Sequence, residues 1–177
     1  MRGGLDVPPV LGSRATDVLA HLGPDRLEAG VELPVGPATG DVPPVDVAPV
    51  AASGEGPITL DFLSGPRDDW FGPAALPSLE RDLRTVSADL DRVGIRLRGQ
   101  PLERVVRTEL PSEGIVRGAV QVPADGQPII FSADHPTTGG YPVIGVLTEA
   151  ASDLAAQLRP GQKVRFSAFR RQGRSHM

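Results

Sequence analysis

The densest concentration of chemistry-bearing side chains lies in residues 134–142, Asp-His-Pro-Thr-Thr-Gly-Gly-Tyr-Pro, between two apolar runs. The paired Gly139 and Gly140 let backbone N–H groups approach an anion or an amide closely. Thr137 and Thr138 add hydroxyls, Tyr141 a phenol and Asp134 a carboxylate. Such a loop can bind a small polar substrate. The same residues also make a tight turn in which Asp and Thr satisfy neighbouring backbone groups. Gln121 closes an apolar run, and its paired donor and acceptor match a ureido or lactam group; a strand glutamine also commonly faces solvent. Arg92, beside Asp91, reads either as half of a surface ion pair or as an anion contact. Asp125 reads as a turn residue. His135 next to Asp134 suggests acid–base work, but neighbours on a strand point to opposite faces.

Other chemistries lack their residues. There is no Gly-x-x-x-x-Gly-Lys-Ser/Thr and no Gly-x-Ser-x-Gly. Gly54-Glu55-Gly56 lacks the third glycine of a dinucleotide fingerprint. His21, His135 and His176 do not stand at metal-ligand spacing, and without cysteine there is no thiolate zinc site, disulfide or thiol nucleophile. No metal site is expected. The one lysine, Lys163, is not flanked by the methionines of a biotin attachment site. A net charge of −4, with only the C-terminal tail locally basic, argues against a nucleic-acid partner. The apolar runs are too short to span a membrane and no signal-peptide pattern opens the chain, so a cytoplasmic protein is expected.

The elements that must hold these residues are short. Gly (21) and Pro (19) account for 40 of the 177 residues, about twice the usual share. Aromatics are only 4%, so Val, Leu, Ile and Ala must build the core. Residues 16–22 suggest a turn or two of helix, and 27–33 a turn and short strand. Residues 34–57 are rich in Pro, Gly, Val and Ala and read as an extended linker or long surface loop. Residues 58–63 alternate, with Ile58, Leu60 and Phe62 on one face. Pro73 opens a short helix to about Leu79. Strands are expected at 83–87, 95–97, 115–122, 129–133, 143–148 and 163–169. Asp125-Gly126 between apolar runs is a strong hairpin signal. Ser152 is a candidate N-cap for a helix through Leu158. Seven or eight strands and two short helices suggest a barrel or sandwich.

Several blocks occur in a recognisable order. They are Arg2-Gly3-Gly4-Leu5-Asp6-Val7-Pro8, Leu11-Gly12-Ser13-Arg14-Ala15-Thr16, Gly65-Pro66 and Asp91-Arg92-Val93-Gly94-Ile95-Arg96-Leu97. Further on come Ser112-Glu113-Gly114-Ile115-Val116, Gly118-Ala119-Val120-Gln121-Val122-Pro123, Asp125-Gly126-Gln127-Pro128 and Thr137-Thr138-Gly139-Gly140-Tyr141-Pro142. Together they resemble the biotin-dependent carboxyltransferase subdomain A/B family, with the family's N-terminal part not represented. Where members often carry Arg-Gln, this chain has His135-Pro136.

The resemblance implies a mainly β fold: a cyclophilin-like β-barrel with two short helices over residues 58–169. A remnant of the first subdomain (1–33) and the linker (34–57) would precede it, and a disordered tail (170–177) would follow. It implies a non-autonomous part of an ATP-dependent 5-oxoprolinase-type complex that opens a lactam, 5-oxoproline, to glutamate. The site would be shared with a companion cyclophilin-like chain, of the type of the 5-oxoprolinase B subunit or allophanate hydrolase subunit 1. The 5-oxoprolinase A subunit is a further candidate partner. ATP would act at the level of the complex, and the isolated chain would be inactive. The alternatives are the carboxyltransferase part of a biotin-dependent urea or amide carboxylase, and a non-catalytic regulator that binds a kinase-inhibitor partner. At the matched positions, Gln121 would read the amide. Thr138 with Gly139 and Gly140 would supply oxyanion donors. Asp134 or Tyr141 would orient or shuttle a proton. Thr137 and Arg92 would line the substrate.

Overall fold

The computed structural model describes residues 2–17, 20–41 and 56–169. The expected tail lies outside these residues, as does most of the expected linker. The chain divides into two compact units, Met1–Ala51 and Ala52–Met177.

The larger unit begins with β1 (Ile58–Ser64), whose alternation buries Ile58, Leu60 and Phe62. A single 3-10 turn (Asp68–Trp70) and α1 (Ala75–Arg81) follow. Next come β2 (Arg84–Leu90), β3 (Gly94–Arg98), β4 (Glu113–Gly114), β5 (Ala119–Gln121), β6 (Ile129–Phe131), β7 (Thr138–Gly139) and β8 (Val143–Leu147). The unit ends with α2 (Glu149–Ala155) and β9 (Lys163–Ala168). Seven strands close a barrel in the order β1-β8-β5-β6-β3-β2-β9, and β4 pairs only with β7. The mainly β barrel expected from the sequence is therefore what forms, and closure leaves none of its seven strands with an unpaired edge. Closure comes from a parallel pairing of β1 with β9, Ile58 opposite Val164 through Phe62 opposite Ala168.

Inward residues fill the barrel: Leu60, Val86, Leu97, Val120, Ile130, Ile144 and Val164 are fully buried. Phe62 and Phe166 meet edge to face, with centroids 5.9 Å apart. Each such side chain contributes roughly 1.5–3 kcal/mol on burial. Arg84 is also fully buried. Its Nη1 donates to the Gln100 carbonyl at 2.8 Å, whereas Nε and Nη2 have no partner among the described residues. Burial lowers its pKa, and nearby Asp82 acts in the opposite sense.

Local signals hold in part. Asp125-Gly126 does turn β5 into the antiparallel β6, and 159–162 turns into β9. The N-cap of α2 is Thr148, not Ser152: the Thr148 hydroxyl accepts from Ala151 N at 3.2 Å. Ser152 lies inside the helix, buried, so its hydroxyl is not at a free helix end. α1 starts at Ala75, past Pro73, and takes Pro77 in its first turn, where a missing N–H costs no helix bond. The run 115–122 is not one strand, because Gly118 at φ 83° bends the chain and only Ala119–Gln121 pairs. β2 runs on to Leu90, beyond the expected loop boundary.

In the smaller unit, Leu5 bridges Val35, Asp6 N donates to Pro34 O, and Gly36 N donates to Gly4 O. The expected helix at 16–22 is replaced by a bridge between Asp17 and Leu22, with the Asp17 carboxylate accepting from Ala20 N. That side chain offers the backbone a turn in competition with helix bonds. Residues 27–33 form no strand. No described residue of this unit is buried.

Among the described residues no helix is long and apolar enough to cross a membrane, and no group of three or more acidic or histidine side chains is placed to hold a metal ion.

Candidate functional site

β5 presents its residues alternately to the two faces of the barrel wall. Val120 enters the main core, while Ala119 faces outward with Phe131 and Val143 into a second apolar cluster. Gln121 shares that outer face and yet is only 4% exposed. The cause is the small β4–β7 sheet, which lies over it: an added Cβ on Gly139 would stand 3.0 Å from Gln121 Nε2. The amide is thus roofed closely by a small residue. Gln121 Nε2 donates to the Tyr141 carbonyl at 2.8 Å, and Oε1 accepts no hydrogen bond among the described residues. The expected solvent-facing alternative for this glutamine does not occur, because the returning loop covers the strand.

The loop residues divide accordingly. Thr138 and Gly139 form β7, opposite Gly114 and Glu113. Thr137 contributes its carbonyl to Ile115 N at 2.9 Å, and its side chain is exposed, as are Thr138 and Gly140. Tyr141 is 49% exposed, so its phenol is presented to solvent while its backbone clamps Gln121. Neither Gly139 nor Gly140 adopts positive φ. What is tight at Gly139 is space, not backbone: an added Cβ would press on the side chains of Gln121 and Ile115 at 3.0 and 3.1 Å.

Arg92 and Asp134 form a separate pair. Arg92 Nε and Nη2 reach the two carboxylate oxygens at 2.7 and 3.1 Å, and Asp134 N donates to Arg92 O. They lie beyond the end of the β3–β6 ladder where Gly94 faces Phe131, whereas Gln121 pairs with Ile129 at the other end of β6. The hydrogen bonds from Arg92 hold the Asp134 carboxyl below its ordinary range. It stays ionised near neutrality and can accept or orient, but has no proton to give.

One contributor is not among the residues nominated from the sequence: Arg67, in the turn after β1. Arg67 grips Glu113 of β4: Nε stands 3.0 Å from both carboxylate oxygens and Nη2 also bonds Oε1. This ties the segment after β1 to the sheet that roofs Gln121. Nothing local in the sequence signals it, since the two residues are 46 positions apart. The bonds from Arg67 lower the Glu113 pKa. Both depressed carboxyls contribute stability above the unfolded values of about 3.9 to 4.3, and that contribution disappears as pH falls through their lower folded values. Melting temperature is therefore expected to be flat from pH 7 to about 5 as far as these pairs decide it, and to drop below about pH 4. In Glu113→Gln the difference between melts at about pH 7 and about pH 3 should shrink; an undiminished difference would show that the pair is idle.

Comparison with known proteins identifies the family. A family model described as the carboxyltransferase domain, subdomain A and B, matches residues 1–168. The C subunit of the 5-oxoprolinase of Escherichia coli is 37% identical over 167 residues, covering 93% of this chain and 53% of that protein. The urea amidolyase of Lachancea kluyveri is 28% identical over 196 residues, covering 94% of this chain and 10% of that protein. The crystal structure of the Kluyveromyces lactis urea carboxylase superposes with a TM-score of 0.76 at 24% identity, over 96% of this chain and 17% of that one, which shows a shared fold. The chain spans about half the length of the Escherichia coli protein that it matches.

Proposed function

Because the chain belongs to the carboxyltransferase subdomain A and B family, we propose that it is a component of a 5-oxoprolinase-type enzyme, working with companion subunits to open the lactam of 5-oxoproline to glutamate with ATP. The observation that carries this reading is the 37% identity to the 5-oxoprolinase C subunit over nearly the whole chain.

Lactam opening needs three things from the protein: a reader for the amide, donors for the oxygen that becomes anionic, and a route for protons. Gln121 suits the first. Its Nε2 is held by the Tyr141 carbonyl, which fixes the amide plane and aims Oε1 as an acceptor for the lactam N–H. The exposed Thr138 hydroxyl and the adjoining Gly139–Gly140 backbone are the donors within this chain for the carbonyl oxygen. The exposed Tyr141 phenol can relay a proton to the departing nitrogen. Asp134, kept ionised by Arg92, orients rather than donates. Thr137 lines the approach. ATP would be handled by the companion subunits.

A second reading is favoured by the likeness to urea amidolyase. In it the same amide reader would serve carboxyl transfer from biotin to urea or another amide. The experiment is reconstitution of the chain with companion subunits, assaying ATP-dependent glutamate release from 5-oxoproline with and without avidin. Avidin-insensitive turnover that requires this chain is the expected result. Avidin-sensitive carboxylation of urea would transfer the assignment to the second reading. Stable association with no turnover of either substrate would overturn both and leave a binding role, such as regulation of a kinase-inhibitor partner.

A further inference from the structure

Two cavities of the barrel unit differ in the state of their arginines. A cavity of about 300 Å³ near α2 is lined by Arg92 and Arg117, which are already paired with Asp134 and Asp153. A larger cavity, about 660 Å³, lies between the connection from β3 to β4 and the Asp125–Gly126 turn. Its arginines, Arg104 and Arg107, have no ion pair among the described residues.

The placement of Arg104 is rigid. Its backbone bridges Phe71, and the adjoining Val105 N donates to Trp70 O at 2.9 Å. Its guanidinium lies over the Trp70 ring, 5.6 Å from the centroid, which orients the plane and leaves the N–H edge to find an acceptor. That acceptor is missing: Arg104 donates no side-chain hydrogen bond among the described residues, and while its Nε is closed off, its two terminal nitrogens are open. The cavity's acids do not supply one. Asp125 already accepts from Gln127 N at 3.1 Å and faces Arg98 at 3.9 Å, and no ion pair links Glu103 to either arginine. Behind the wall, the Gln100 carbonyl is bonded by the buried Arg84, so a further positive charge sits one residue deep. The terminal nitrogens of Arg104 and the guanidinium of Arg107 are thus the donors this cavity leaves unpaired, and they suit an oxygen acceptor with negative charge.

We propose that this cavity binds a small oxyanion, a carboxylate or a phosphate group, with Arg104 as its main donor and Arg107 as its second. The inference is independent of the enzymatic reading above. A guanidinium edge matches two oxygens of either anion in parallel, and the volume is in the range of small-molecule sites.

Trp70 is the only tryptophan in the chain and touches the proposed donor, so its fluorescence reports on this cavity directly. The probes are sodium phosphate and sodium acetate, each titrated against sodium chloride at matched ionic strength. A saturable change in Trp70 emission with one or both oxyanions, absent in chloride, is expected. Preference for phosphate or for acetate identifies which group the natural ligand carries. Arg107→Gln leaves the Trp70 contact in place and should weaken the midpoint by about tenfold, the loss of one charge-assisted bond. Arg104→Lys, which keeps the charge and loses the fork, should weaken it further. Responses identical to chloride, or midpoints unchanged in both variants with unaltered melts, would overturn the proposal.

Discussion

Gly65→Ala is expected to leave no cooperatively folded protein. Gly65 follows β1 where the chain crosses β8, and its N–H donates to Ile144 O at 2.9 Å. A Cβ here would stand 2.4 Å from Val143 O, 2.7 Å from Gly145 N and 2.8 Å from Ile144 C. All three are backbone atoms, so no rotamer change relieves the overlap. β8 cannot retreat, because it is hydrogen-bonded to β1 on one side and to β5 on the other. Ordinary overpacking costs about 1–3 kcal/mol when side chains can adjust. A backbone clash inside a closed barrel is expected to exceed about 4 kcal/mol, a large share of the roughly 5–15 kcal/mol that holds a domain together. Gly114→Ala is the control: nothing lies within 4 Å of its added Cβ, and its φ is not positive. Soluble yield and thermal melts by circular dichroism decide it. A Gly65→Ala protein melting within a few degrees of the parent would show that β8 gives way, and would remove the argument for a rigid crossing.

The second large effect is expected on activity. Gln121→Met keeps the volume of the buried side chain and removes its amide. The Tyr141 carbonyl then loses its donor, which should cost about 1–3 kcal/mol of stability. If Gln121 reads the substrate amide, turnover by the reconstituted complex should fall by about 10²–10³, the usual consequence of removing one aimed polar group from a transition state. The two readouts separate the roles. A lowered melt with unchanged turnover per folded enzyme would make Gln121 purely a clamp on the Tyr141 backbone. A loss of turnover with kcat falling and KM little changed marks action in the transition state.

Much of the barrel is legible because strand period and turn chemistry are local. Ile58, Leu60 and Phe62 alternate at the spacing of a strand, and Val164 with Phe166 repeats it. Asp125-Gly126 turns whatever it joins. Even there, capping is ambiguous: Thr148 and Ser152 are both good caps by type, and the choice depends on where β8 stops. The turn at 16–22 goes to the Asp17 side chain, whose reach over three residues competes with a helix that has few apolar contacts to support it.

The candidate site is legible as a set of residue types and illegible as an arrangement. Sequence alone nominates Gln121, Thr138, Gly139 and Tyr141, and the fold does join Gln121 to Gly139 and to the Tyr141 backbone. It also nominates Arg92 and Asp134, which the register of β3 on β6 sets at the opposite end of that ladder. Arg67 with Glu113, and Arg104 with Trp70, are invisible, since each pair joins segments far apart in the chain. Composition, turn residues and alternation by themselves determine a mainly β chain of short strands, because those preferences act between neighbours. Which face Gln121 takes, what roofs it and which charges meet are decided only by tertiary structure, because closure of the barrel and the return of the 132–142 loop depend on contacts that no local pattern encodes.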